Sequence, residues 1–265
     1  MGEIVVNSAP VPIAAYDFGG AGTPVLLLHG AGGNLGNLVE LARGLTPRHR
    51  VVAVDLRGHG HSGAGPWHWD AVLDDLAAVV RELELDRPAV VGVSLGGMLA
   101  TLWAARHPEC RGAVSLDGNP TPSRPEDLAG MDPARAEAEL ARLREVFAGM
   151  SAAMAQPLTA EQVTAAEAGQ RAMARQCGAD EEAWVAAFRR GLHTTDGVTR
   201  IRPTAELTEQ LRLAMAELDL LPAYRDVRCP LLLVLATEDM PEQRQFHELY
   251  AAHRRRIMDR LDTVR

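Results

Sequence analysis

The sequence predicts an α/β protein, a mostly parallel, doubly wound sheet with a helical insertion between two of its strands. Three observations predict it. Residues 24–28, 50–54, 89–93, 112–116 and 231–236 are apolar runs without alternation, the mark of strands covered on both faces in a parallel sheet. Helix-period stretches lie between such runs, and alternating strands and helices imply right-handed crossovers. From about 118 to 228, by contrast, the chain shows helix starts and stops and no buried-strand signal.

Taken in order, each element has a local reason. Residues 3–6 and 11–17 are period-two segments that precede the turn-rich Gly19-Gly20-Ala21-Gly22, and they read as an antiparallel ribbon leading into the sheet. In 70–85 the apolar positions Val72, Leu73, Leu76, Val79, Val80 and Leu83 form one helical stripe. A helix at 95–106 follows the strand at 89–93 and closes before Pro108. Inside the insertion, Asp132-Pro133 is a cap followed by a first-turn proline, with Ala136, Leu140, Leu143 and Phe147 on one face. Thr159-Ala160-Glu161-Gln162 reads as a capping box, stopped by Cys177-Gly178. Asp180 opens a short helix carrying Trp184 and Phe188 and ended by Gly191; Thr204 opens another with Leu207, Leu211 and Leu218. A last helix is expected over 243–261. The organisation expected is a core of 1–117 and 229–265 with a helical cap of 118–228.

Composition narrows the function. The 265 residues are 47% hydrophobic and 23% charged, an ordinary globular balance with ample material for a core. A net charge of −8 argues against nucleic acid or an anionic membrane as partner, because both need a basic face. All 27 basic residues are Arg, so Schiff-base, P-loop and lysine-base chemistry are excluded. The Arg- and Ala-heavy usage fits a GC-rich bacterial genome. No signal peptide or span of about 20 apolar residues is visible, which predicts a cytoplasmic protein. Cys110, Cys177 and Cys229 have neither disulfide-framework nor zinc spacing and are expected as reduced thiols. No metal or organic cofactor is called for, the expected partner is a small-molecule substrate, and the oligomeric state is open.

The chemistry concentrates at two strand ends. Gly92-Val93-Ser94-Leu95-Gly96 lies where a buried strand becomes a helix. Flanking residues without bulk allow a turn tight enough to lift the Ser94 hydroxyl clear of the sheet, beside helix amides that favour developing negative charge. His29-Gly30-Ala31-Gly32-Gly33-Asn34 follows another buried strand, and its glycines let a backbone amide point at an oxyanion beside the serine. The expected donors are the amides of Ala31 and Leu95. A phosphate-binding loop fits less well, since these glycines miss the G-x-G-x-x-G spacing.

Together with the run Asp55-Leu56-Arg57-Gly58-His59-Gly60-His61-Ser62, these motifs resemble the α/β-hydrolase superfamily, in its esterase, lactonase, haloperoxidase-like and C–C hydrolase branch. The resemblance covers residues 11 to about 236. It implies a serine nucleophile, Ser94, followed in order by an acid and a histidine. Arg57, His59 and His61 are then loop-bracing residues. The acid should end a late strand: Asp239 leads, with Asp117 at the end of the strand after the nucleophile helix as the rival, while Glu238 points the other way if strand geometry persists. The histidine should follow one more helix and one more strand. His247 and His253 lie on the helix itself, whose crossover should carry it from the catalytic edge; His193 in the cap is a further, weaker candidate. The expectation is that the last strand and the catalytic histidine lie beyond residue 265.

The expected activity is hydrolysis of an ester or related acyl bond in a small to mid-sized, largely apolar substrate, through an acyl-enzyme on Ser94. Cap residues Phe147, Trp184 and Phe188 are the expected pocket surface. Hydrolysis of a C–C bond or a lactone is the alternative within enzymes. From another class, the alternative is an inactive binding protein on the same fold that lacks the histidine.

Overall fold

The computed structural model describes residues 2–7, 11–238 and 241–263. Among these, seven strands form one sheet: β1 (Gly2–Asn7), β2 (Pro12–Gly19), β3 (Pro24–Leu28), β4 (Arg50–Val54), β5 (Ala89–Val93), β6 (Ala113–Leu116) and β9 (Leu231–Val234). Their order across the sheet is β1-β2-β4-β3-β5-β6-β9. The first two strands pair antiparallel, as does β2 with β4, and the rest run parallel. The flanking helices are α1 (Val39–Leu45), α2 (Trp69–Glu82) and α3 (Leu95–Arg106). No described helix is long and apolar enough to cross a membrane.

The central strands lack alternation because both of their faces are covered. Leu26, Leu28, Val52 and Val54 enter the cluster that includes Val72, Leu76 and Val79 of α2 and Leu99 and Trp103 of α3. Their neighbours Val25, Leu27, Val51 and Ala53 face the opposite layer, with Leu35, Leu38 and Ala42. Burying each of these Val and Leu side chains contributes about 1.5–3 kcal/mol.

Between β6 and β9 lie α4 (Pro133–Met154), α5 (Ala160–Cys177), α6 (Glu181–Arg190), α7 (Ala205–Glu217) and α8 (Leu221–Asp226). The caps are those the sequence predicts. The Asp132 side chain accepts from Arg135 N, Thr159 and Gln162 form a reciprocal box, and Gly178 closes α5 at φ 68°. One expectation fails here, because the insertion is not wholly helical. It holds a hairpin of β7 (Leu192–Thr195) and β8 (Val198–Ile201), turned at Asp196 (φ 51°) and Gly197 (φ 76°). Both strands are short and largely solvent-facing, so no apolar run announces them.

The final helix, α9 (His247–Leu261), follows a 3-10 turn over Pro241–Phe246. Its Leu249 and Ala252, with Phe246, pack against Leu128 and against Ala136, Leu140 and Leu143 of α4. The helix is thus tied to the insertion.

Candidate active site

Ser94 stands between β5 and α3 at φ 51° and ψ −116°, a conformation a non-glycine residue adopts only when its surroundings impose it. The surroundings do. Ser94 N donates to Leu116 O at 2.8 Å, and Ser94 O accepts from Gly97 N at 2.8 Å and Met98 N at 3.1 Å. A Cβ on Gly92 would sit 2.0 Å from Gly96 O, and one on Gly96 would sit 2.3 Å from Leu28 O. No side chain fits at either place. The hydroxyl therefore sits on a rigid turn at the N-terminus of α3, among dipoles that favour negative charge.

The glycine-rich loop lies against it. A Cβ on Gly30 would be 3.4 Å from Ser94 Cβ. His29 is buried beneath the loop; its Nε2 accepts from Leu56 N at 3.0 Å, so the ring proton is on Nδ1 and goes to Gly30 O at 2.8 Å. Burial pushes the His29 pKa down to about 3, which keeps the ring neutral. His59, likewise buried and lowered mainly by burial, places Nε2 2.7 Å from Ala31 O and Nδ1 3.0 Å from Arg57 O. Arg57 reaches Asp75 Oδ2 at 2.7 Å, Pro66 O at 2.7 Å and Ala71 O at 3.0 Å. These residues brace the loops that flank the serine.

Ser94 opens onto a cavity of about 270 Å³, also lined by Asp117, Asn119, Pro120, Phe147, Glu238, Tyr250, His253 and Arg254. Asp117 sits at the end of β6 at φ 52°, and its Oδ1 accepts from Ala236 N at 3.1 Å. Asp239 lies outside the described residues. Glu238 reaches the cavity because β9 ends at Val234, so strand alternation does not govern its direction. His253 also differs from expectation. Packing of α9 on α4 brings it to the Ser94 cavity instead of carrying it away. Its ring nitrogens, however, face Pro120 O at 2.8 Å and Asp127 O at 3.2 Å, so both in-plane positions are taken by acceptors. His193 hydrogen-bonds Thr195 in the β7–β8 hairpin. Of the three aromatic residues expected in the pocket, only Phe147 lines this cavity; α6, with Trp184 and Phe188, packs against α5 and the turn over Leu35–Leu38. No motif in the sequence points to Asn119 and Pro120, although the end of a parallel strand is where ligands bind in such sheets. Among the described residues no cluster suited to a metal ion occurs.

Residues 23–253 match the family described as alpha/beta hydrolase fold. The chain belongs to that family. Similarity to this alpha/beta hydrolase extends to a pimeloyl-[acyl-carrier protein] methyl ester esterase of Chromobacterium violaceum, 48% identical over 92 residues, which are 34% of each protein. The esterase YbfF of Escherichia coli is 30% identical over 131 residues, 49% of this chain and 46% of that one. The alignments thus span about a third to a half of these relatives' lengths. Among solved structures, E-2-(acetamidomethylene)succinate hydrolase superposes with a TM-score of 0.65 at 26% identity, over 87% of this chain and 79% of the other.

Proposed function

We propose that this alpha/beta hydrolase is a serine hydrolase that cleaves an ester or related acyl bond through an acyl-enzyme on Ser94. The observation that carries the reading is the strained, glycine-walled turn that holds Ser94 beside the 29–34 loop. In this mechanism Ser94 Oγ attacks the acyl carbon while a histidine takes its proton, and a carboxylate, Asp239 or Asp117, holds that histidine in the right tautomer. The amides of Ala31 and Leu95 receive the oxyanion. Losing one such donor typically costs about 3 kcal/mol of transition-state stabilisation. The acyl C–O bond then breaks and the alcohol leaves with the proton the histidine took. Water, deprotonated by the same histidine, attacks the acyl-enzyme, releases the acid and restores the Ser94 hydroxyl. The cavity, about 270 Å³ with Phe147 and Tyr250 beside Asn119 and Arg254, suits a small acyl group with a polar substituent better than a wholly apolar one. The E-2-(acetamidomethylene)succinate hydrolase among similar structures is in keeping with a small acyl substrate.

A second reading has its own observation. His253, which lines the Ser94 cavity, has its Nδ1 3.2 Å from Asp127 O and its Nε2 2.8 Å from Pro120 O, so both nitrogens are engaged by backbone carbonyls. That favours a binding protein on the same fold. Fluorophosphonate labelling and hydrolysis of short p-nitrophenyl esters separate the two. The hydrolase labels at Ser94, and Ser94→Ala abolishes labelling and lowers kcat by about a thousandfold or more. Full ester turnover in Ser94→Ala refutes the nucleophile; an unlabelled wild type supports the binding protein. A panel of esters, lactones and vinylogous diketones then separates ester from lactone and C–C bond cleavage.

A further inference from the structure

Close to the Ser94 turn lies a buried carboxylate that the acyl chemistry does not use. Asp55 follows β4 and is 0% exposed. Its Oδ1 accepts from Leu35 N at 2.8 Å, and its Oδ2 accepts from His61 N at 2.8 Å. A carboxylate removed from water needs a cation. Here the cation comes from the insertion: Arg190, the last residue of α6, places Nε 2.9 Å and Nη2 2.8 Å from Asp55 Oδ2. The same Nη2 reaches Glu3 Oε1 on β1 at 2.7 Å. Arg190 therefore ties the insertion to the sheet at a point shielded from solvent.

The contacts converge on one loop. Leu35 follows directly on residues 29–34, whose Ala31 carries a proposed oxyanion donor. Asn34 caps the turn by accepting from Gly36 N at 2.9 Å, and its Nδ2 donates to Ala187 O at 2.8 Å, one turn before Arg190. Gly36 is pressed on the same helix, where an added Cβ would be 2.8 Å from Ala187 Cα. Helix α6 thus grips three consecutive residues, Asn34, Leu35 through Asp55, and Gly36.

We propose that Arg190 is a positioning residue through which helix α6, acting by way of Asp55 and Leu35, fixes the loop that carries the Ala31 amide. The proposal rests on the reading of Ser94 as nucleophile. An oxyanion donor works only when it is within about 2.7–3.1 Å of the place where charge develops. A loosened loop therefore loses interactions made in the transition state and keeps those made with bound substrate. In this arrangement α6 is a strut, held at the loop it supports.

The test uses Arg190→Lys and Arg190→Met in the full-length protein, with two readouts. Hydrogen exchange followed by mass spectrometry reports the loop directly. Peptides covering residues 30–38 are expected to exchange about tenfold faster in Arg190→Met, with α2 and β5 peptides unchanged. Arg190→Lys keeps the buried charge compensated but not the two-pronged geometry, so it folds even where the Met variant does not and shows a smaller rise in the same peptides. Ester turnover is the second readout: kcat falls about tenfold while KM stays within about twofold, and Lys recovers part of the loss. Unchanged exchange at 30–38 in the Lys variant overturns the proposal, as does a rise spread evenly over sheet and insertion. A local rise in a protein whose wild type neither labels with fluorophosphonate nor hydrolyses esters upholds the clamp and refutes the Ser94 reading instead.

Discussion

Single residues around Ser94 are set by what backbone they must satisfy. His29 shows the consequence for stability. Its Nε2 is committed to Leu56 N and its Nδ1–H to Gly30 O, and burial lowers its pKa from the ordinary 6.5 to about 3. An unfolded chain takes up a proton on this ring as pH drops below about 6.5, while the folded chain does so only near 3. The unfolded state binds more protons across that window. The contribution of His29 is therefore complete above about pH 6.5 and is lost as pH falls, by up to about 1.4 kcal/mol per unit. His59 is shifted the same way and adds to the slope. Urea midpoints should drop between pH 7 and pH 5. His29→Gln should be less stable at pH 7 yet show a shallower decline; an identical slope in wild type and variant sinks the assignment. The turn that holds Ser94 was legible in the sequence, because Gly92, Ser94 and Gly96 encode it locally. The setting of His253 was not, because it depends on a helix docking against residues more than a hundred positions away.

At the scale of elements, legibility followed locality in the same way. Caps at Asp132, Thr159, Asp180 and Thr204 bond amides two or three residues on, and all four were readable. The β7–β8 hairpin carries no apolar run that marks its strands, although Asp196-Gly197 is a strong two-residue turn signature with both φ values positive. The loop that follows β4 depends instead on a long-range pair. Arg57 and Asp75 meet at 2.7 Å with side chains 4% exposed, and this bond fastens the loop over residues 55–62 to α2. Removing one partner of a buried pair strands the other, at a cost of about 3–5 kcal/mol. Asp75→Ala should lower the unfolding free energy by that amount in urea titrations. A loss below about 1 kcal/mol would show that Arg57 finds adequate compensation in the carbonyls of Pro66 and Ala71.

Across the whole molecule, the docking of α9 on α4 has a consequence for the sheet. The helix that follows β9 gives its apolar face to the insertion, and β9, the outermost of the described strands on that side, keeps Leu232 56% and Val234 42% exposed. These side chains lie on the same face as their register partners Val114 and Leu116 on β6, both half-buried. Among the described residues, two adjacent strands thus offer one apolar strip beside the outer edge of the sheet. Proteins normally blunt such edges with charge, proline or cover. The chain's net charge of −8 opposes association at long range, but salt screens that repulsion to about 8 Å at 0.15 M. Self-association of the 265-residue chain should therefore rise with protein concentration and with salt. Leu232→Lys places a charge in the middle of the strip, and it should lower the weight-average mass measured by light scattering at about 100 μM without shifting the unfolding midpoint, since Leu232 contributes little burial. Equal masses for wild type and Leu232→Lys in 0.5 M salt would remove the strip as the site of contact.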